Sequence, residues 1–222
     1  MRAPNHSPLA SLTRKTDDWF QRANAALLSQ VPCRAGCSYC CVGPFPITQL
    51  DVGLLQEGLK SLSLEQRECI ERGAKEQVSA LETAYPRLRQ SRYLDRWADT
   101  DIDRLVSDFH QDPCPALGED GLCAVYDYRP LTCRSMGIPT EERGQVTGAC
   151  AVQTFVPLVR LSASLRSEEQ ELAGREAEEL DAHRTMSGAE GEEMLLPYGF
   201  LPDDRGENPR LGVSCGVSRI QR

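Results

Sequence analysis

Four cysteines fall within nine residues, in the stretch Cys33-Arg34-Ala35-Gly36-Cys37-Ser38-Tyr39-Cys40-Cys41. Packing alone does not call for this density, because any small apolar side chain would fill core space as well. Thiolates this close together are what a soft metal or an iron–sulfur cluster needs. A second set follows downstream: Cys114, Cys123 and Cys133, then Cys150. The x2 gap between Cys37 and Cys40 lets two sulfurs reach one metal. Neighbouring Cys40 and Cys41 point their side chains apart in most conformations, so both ligate only at different metals or at different atoms of one cluster. Eight sulfurs could complete two four-thiolate sites, or one cluster and a second metal, or leave some thiols behind the ligands. The expectation is a fold that brings the two sets together around metal.

Compartment decides how ten cysteines are used. Extracellular chains spend them on disulfides, whereas cytosolic chains use clusters for metal or redox chemistry. Residues 1–20 have no apolar run and carry Arg14, Lys15, Asp17 and Asp18 where a signal peptide would be greasy. No apolar stretch approaches the roughly 20 residues of a membrane span. The expectation is a cytoplasmic chain whose thiols serve metal. A formal net charge of -8 repels phosphate backbones and anionic lipid surfaces, so neither nucleic acid nor membrane is an expected partner. A protein partner is left open. Arg87, Arg89, Arg92 and Arg96, with Tyr85, Tyr93 and Trp97, imitate an RNA-binding stretch, but in so acidic a chain they read as a solvated basic helix face.

The chain reads as mainly α with one small β-hairpin, a single domain organised around a cysteine-ligated metal centre. Residues 1–15, with Pro4 and Pro8, read as a flexible tail. Residues 16–184 form the domain, and a loosely packed extension fills 185–222. Thr16 caps a helix over 16–30. Thr48 with Asp51 and Ser63 with Gln66 have capping-box spacing; they open helices ending near Lys60 and at Tyr85. Helices are also expected over 88–98, from a Thr100 cap to Phe109, and from Ala149 to Arg184 with a kink at Pro157. Asp120-Gly121 between apolar arms is the hairpin signal and sets Cys114 near Cys123. Met194 to Leu201 reads as one apolar patch able to dock.

The block Cys33–Cys41 resembles the signature of the CxxCxxCC family, the YkgJ-like cysteine-cluster proteins. The second half is similar too: Cys114-Pro-x-Leu, Gly-Leu-Cys123, Tyr126, then Arg129-Pro130-Leu131-Thr132-Cys133-Arg134, with Cys150 as the last cysteine. The resemblance covers about residues 33–150. It implies a zinc- or iron-chelating domain with Cys33, Cys37, Cys40, Cys41, Cys114, Cys123, Cys133 and Cys150 as the metal set. Flagellin lysine N-methylase carries a similar module, which ties one relative to methyl transfer. The spacer between Cys41 and Cys114 and the tail after Cys150 lie outside what the resemblance explains.

Cys69 and Cys215 stand alone and are taken as non-ligands. His110, four residues before Cys114, is the one histidine placed to ligate, and it reads more naturally as a satisfied or exposed side chain. Arg129 and Arg134 flank Cys133, where a guanidinium offsets thiolate charge or anchors the turn. Phosphate loops, Ser/His/Asp sets and paired metal carboxylates do not stand out. The expected function is metal binding, by an iron–sulfur cluster in preference to zinc. The alternatives are a structural zinc module that presents an interaction surface and a cluster-dependent redox or methyl-transfer enzyme or its accessory.

Overall fold

The computed structural model describes residues 8–26, 37–138, 140–142, 145–147 and 161–202. In chain order its elements are α1 (Pro8–Ala26), β1 (Pro46–Thr48), α2 (Gln49–Ser61), α3 (Leu64–Ala84), α4 (Asp99–Asp108), α5 (Leu131–Ser135), β2 (Thr140–Glu142), β3 (Gln145–Thr147), α6 (Ala163–Ser187), β4 (Glu193–Leu195) and α7 (Leu196–Gly199). The fold is mostly helical, as its sequence periodicity requires. None of its described helices is long and apolar enough to cross a membrane. The chain divides into two compact units: Met1–Cys40 with Pro130–Ala189, and Cys41–Arg129 with Glu190–Arg222. Each has its own apolar cluster.

In the first unit α1 packs on α5 and α6. Trp19, Ala23 and Ile138 form its small core, with Phe20, Leu161, Leu165 and Leu172 against them. The buried Trp19 indole donates Nε1–H to the Leu165 carbonyl at 2.9 Å, satisfying its one donor. The expected tail over 1–15 is corrected for residues 8–15, which are the first two turns of α1. Pro8 is tolerated there because the first helical position has no N–H to lose. Leu12 is buried, and Thr16, expected as a cap, sits mid-helix with its hydroxyl bonded to the Leu12 carbonyl at 3.0 Å. Helix α6 starts at Ser162, whose hydroxyl accepts the Leu165 N–H at 3.3 Å, rather than at Ala149. The expected kink at Pro157 lies outside the described residues, as does the end of the first helix beyond Ala26. Helix α6 buries no residue fully. Its charged face is held by turn-to-turn pairs such as Arg166–Glu169 at 2.5 Å and Arg175–Glu171 at 2.9 Å.

The second unit carries the larger core. Both expected capping boxes are present: Thr48 with Asp51 opens α2, and Ser63 with Gln66 opens α3. Ile70, Ala74, Val78 and Leu81 form the buried face of α3, while Leu64 is exposed at the first turn. The helix expected over 88–98 is replaced by a short 3-10 turn, Pro86–Arg89, followed by turns and one bridge at Tyr93. There Leu94 donates its N–H to the Glu193 carbonyl at 2.9 Å, and Tyr93 bridges Met194. A long-range strand partner thus outweighs local helix propensity. Helix α4 begins after Ala98 with no side-chain cap, not at Thr100.

The basic stretch is folded onto its own aromatics. The Arg87 guanidinium lies 4.9 Å from the centre of the Trp97 ring, and Arg92 lies 5.5 Å from that of Tyr93.

The expected loose extension over 185–222 is corrected for 193–200. Strand β4 pairs antiparallel with β1 in the register Pro46–Leu195, Ile47–Met194, Thr48–Glu193. Met194, Leu195, Leu196, Tyr198 and Phe200 are all buried in the core. Each such burial stabilises by roughly 1.5–3 kcal/mol. Burial pushes the Tyr198 phenol well above its ordinary value, and the Glu82 carboxylate that accepts its hydrogen bond pushes it the same way. Residues beyond 202 lie outside the described set.

Candidate metal centre

The site is built on a short stretch of paired backbone in the second unit. After Cys41 the chain extends, and Val42 forms an antiparallel bridge with Pro113. The Cys114 N–H donates to the Cys41 carbonyl at 2.8 Å, and the Gly43 N–H donates to the Asp112 carbonyl at 2.7 Å. Gly43 has φ of 75°, and a Cβ there would stand 3.2 Å from the His110 Cα, so both conformation and space call for glycine. One cysteine from each set of the sequence, Cys41 and Cys114, is therefore brought together.

The Asp120-Gly121 signal produces a tight turn. Gly121 has φ of 77°, and the Asp120 carboxylate accepts the Leu122 N–H at 2.9 Å. Ala124 donates to Ala116 and Gly118 to Leu122, both at 2.8 Å, and Leu117 bridges Cys123. The expected hairpin is thus a turn with one isolated bridge. The named ladders lie elsewhere, in β1–β4 and β2–β3. Cys114 and Cys123 are half-buried and pack against the unit's core.

Cys37, Cys40 and Cys133 belong to the first unit, Cys133 on α5; the boundary between units falls between Cys40 and Cys41. Cys37, Cys40, Cys41, Cys114, Cys123 and Cys133 are all half-buried, and none is in a disulfide. Cys33, Cys150 and Cys215 lie outside the described residues. Cys69, expected as a solitary thiol, is disulfide-bonded; nothing in its helical spacing signals this. Among the described residues, no group of three or more His, Cys, Asp or Glu side chains is gathered as a metal cage. The residues fit a thiophilic metal in two respects, the chemistry of the donors and the pairing of Cys41 with Cys114.

The neighbouring charges are tied down. Arg134 is almost fully buried and forms an ion pair with Asp17, which fastens α5 to α1. Arg129 stacks 3.8 Å from the centre of the Tyr126 ring and donates its Nε–H to the Tyr126 carbonyl at 3.1 Å. His110 is exposed, with Nδ1 2.7 Å from the Ser107 carbonyl. That nitrogen therefore carries the ring proton, since a carbonyl only accepts. Burial raises the Asp112 carboxyl above its ordinary value.

Thiols kept out of disulfides and set on turn-rich, paired backbone define a cysteine-cluster, metal-chelating class of protein. The chain belongs to the CxxCxxCC family, described as "Putative zinc- or iron-chelating domain", whose sequence model matches residues 32–151. Curated proteins and solved structures give no match. Sequence reasoning saw 194–201 as a docking patch but not that it would complete the unit around Cys41 and Cys114. The apolar run Met194–Leu201 was the one signal, and it names no partner.

Proposed function

We propose that the chain holds an iron–sulfur cluster through thiolates drawn from Cys33, Cys37, Cys40, Cys41, Cys114, Cys123, Cys133 and Cys150. The observation that supports the reading is the Cys114 N–H bond to the Cys41 carbonyl, which puts one cysteine of each set on paired backbone. A cluster is preferred to a single ion because consecutive Cys40 and Cys41 direct their sulfurs apart, and a cluster offers several metal atoms to meet them. Arg129, four residues before Cys133, offsets part of the thiolate charge, whereas the charge of Arg134 is already met by Asp17. Such a centre needs its thiols reduced, and the six described site thiols are free of disulfides, whereas Cys69 is bridged.

The family's description names zinc beside iron, and the second reading is a zinc site with a structural role. Protein purified without oxygen separates the two. Broad visible absorption with acid-labile sulfide is the expected result. A colourless, sulfide-free protein that contains zinc overturns the cluster in favour of the second reading.

A further inference from the structure

The run from Cys41 to Gln49 is held by two different segments. Its first half lies against 112–114, through the Cys114–Cys41 and Gly43–Asp112 bonds. Its second half lies against 192–196. The Leu196 N–H donates to the Phe45 carbonyl at 2.9 Å, β1 pairs with β4, and the Gln49 N–H donates to the Glu192 carbonyl at 3.0 Å. The family match ends at residue 151, so this second partner lies wholly outside it.

We propose that residues 190–202 are a strap that holds the chain beyond Cys41 in its metal-binding conformation, so that strap docking and metal retention are coupled. This rests on the reading that Cys41 and Cys114 are ligands. Beyond β4 the strap is anchored by side chains from three places. The Gln56 amide donates to the carbonyls of Gly199 at 2.8 Å and Leu201 at 3.0 Å. The Tyr198 hydroxyl donates to Glu82 at 3.2 Å. The Asp95 carboxylate accepts the Glu192 N–H at 2.8 Å and the Glu193 N–H at 3.4 Å. Only Val42, Gly43 and Pro44 separate Cys41 from Phe45, so a displaced β1 moves the cysteine. Among the described strands, β1 pairs with β4 alone. Coupling of this kind is reciprocal: metal that fixes Cys41 also favours the docked strap.

Amide hydrogen exchange of the full chain reads the coupling directly. The chain purified without oxygen, with its metal, is compared with the same chain after a chelator has removed the metal, both in the same buffer without reductant. The Leu94 and Leu196 amides, bonded to Glu193 and Phe45, are expected to exchange about tenfold faster without metal, while amides near Val78 in α3 change less. A second measurement uses two cavities of similar size in one core, Met194→Ala in the strap and Leu81→Ala in α3. Metal passes to a chelator several-fold faster from Met194→Ala. Unchanged Leu196 exchange after confirmed metal loss, or equal release from the two variants, overturns the strap alone. A wild-type chain that carries no metal overturns the ligand reading and the strap with it.

Discussion

Arg134 is buried to 5 % exposure beside Cys133, and the carboxylate of Asp17 that meets it keeps 36 % of its side chain in water. A buried guanidinium whose partner is removed costs much more than an exposed pair gains. Asp17→Asn keeps the shape and removes the charge. It is expected to destabilise the protein by about 1–3 kcal/mol, less than the roughly 3–5 kcal/mol for breaking a fully buried pair because Asp17 is partly solvated. Denaturant unfolding of the two proteins measures this, and equal midpoints would show that the pair contributes nothing. The sequence marked Arg134 as a charge beside a cysteine but could not name its partner, which lies 117 positions away. Local spacing carries no information about an ion pair of that span.

Helix α2 offers a test of packing at the scale of one element. It meets the short 3-10 turn Tyr126–Tyr128, which follows Cys123. Gly58 permits that approach: a Cβ there would stand 2.8 Å from the Tyr128 Cβ and 3.1 Å from the Val125 Cβ. Gly53, on the same helix, is exposed and has nothing within 4 Å of its would-be Cβ. Gly53→Ala should therefore stabilise by about 0.5–1 kcal/mol through helix propensity alone. Gly58→Ala should destabilise by about 1–3 kcal/mol, because overpacking outweighs the same gain. Thermal or denaturant unfolding of the two variants checks both signs, and two stabilised proteins would contradict the contact. The start of α2 was legible because a capping box is written in adjacent residues. The segment 88–98 was not, because Leu94 and Tyr93 are claimed by β4, about a hundred positions later.

The described cysteines divide between the two units, Cys37, Cys40 and Cys133 in one and Cys41, Cys69, Cys114 and Cys123 in the other. The thiol set and its family were legible in the sequence, since ligand spacing and motif order are local. The division into units was not, because it follows from two separate apolar clusters, one around Trp19 and one around Leu55 and Leu81. Which side chains close a core is decided by long-range packing rather than by periodicity. The central claim is that the cysteine set holds metal, and elemental analysis per chain tests it most directly. Wild type, Cys41→Ser, Cys114→Ser and Cys69→Ser are prepared alike without oxygen. Serine keeps the size of cysteine but is a hard, protonated donor that a soft metal does not favour. Wild type and Cys69→Ser should carry iron or zinc in the same fixed ratio, with a marked loss in Cys41→Ser and Cys114→Ser. A folded wild-type chain without either metal, or a Cys69→Ser variant that loses as much as Cys41→Ser, would contradict the account.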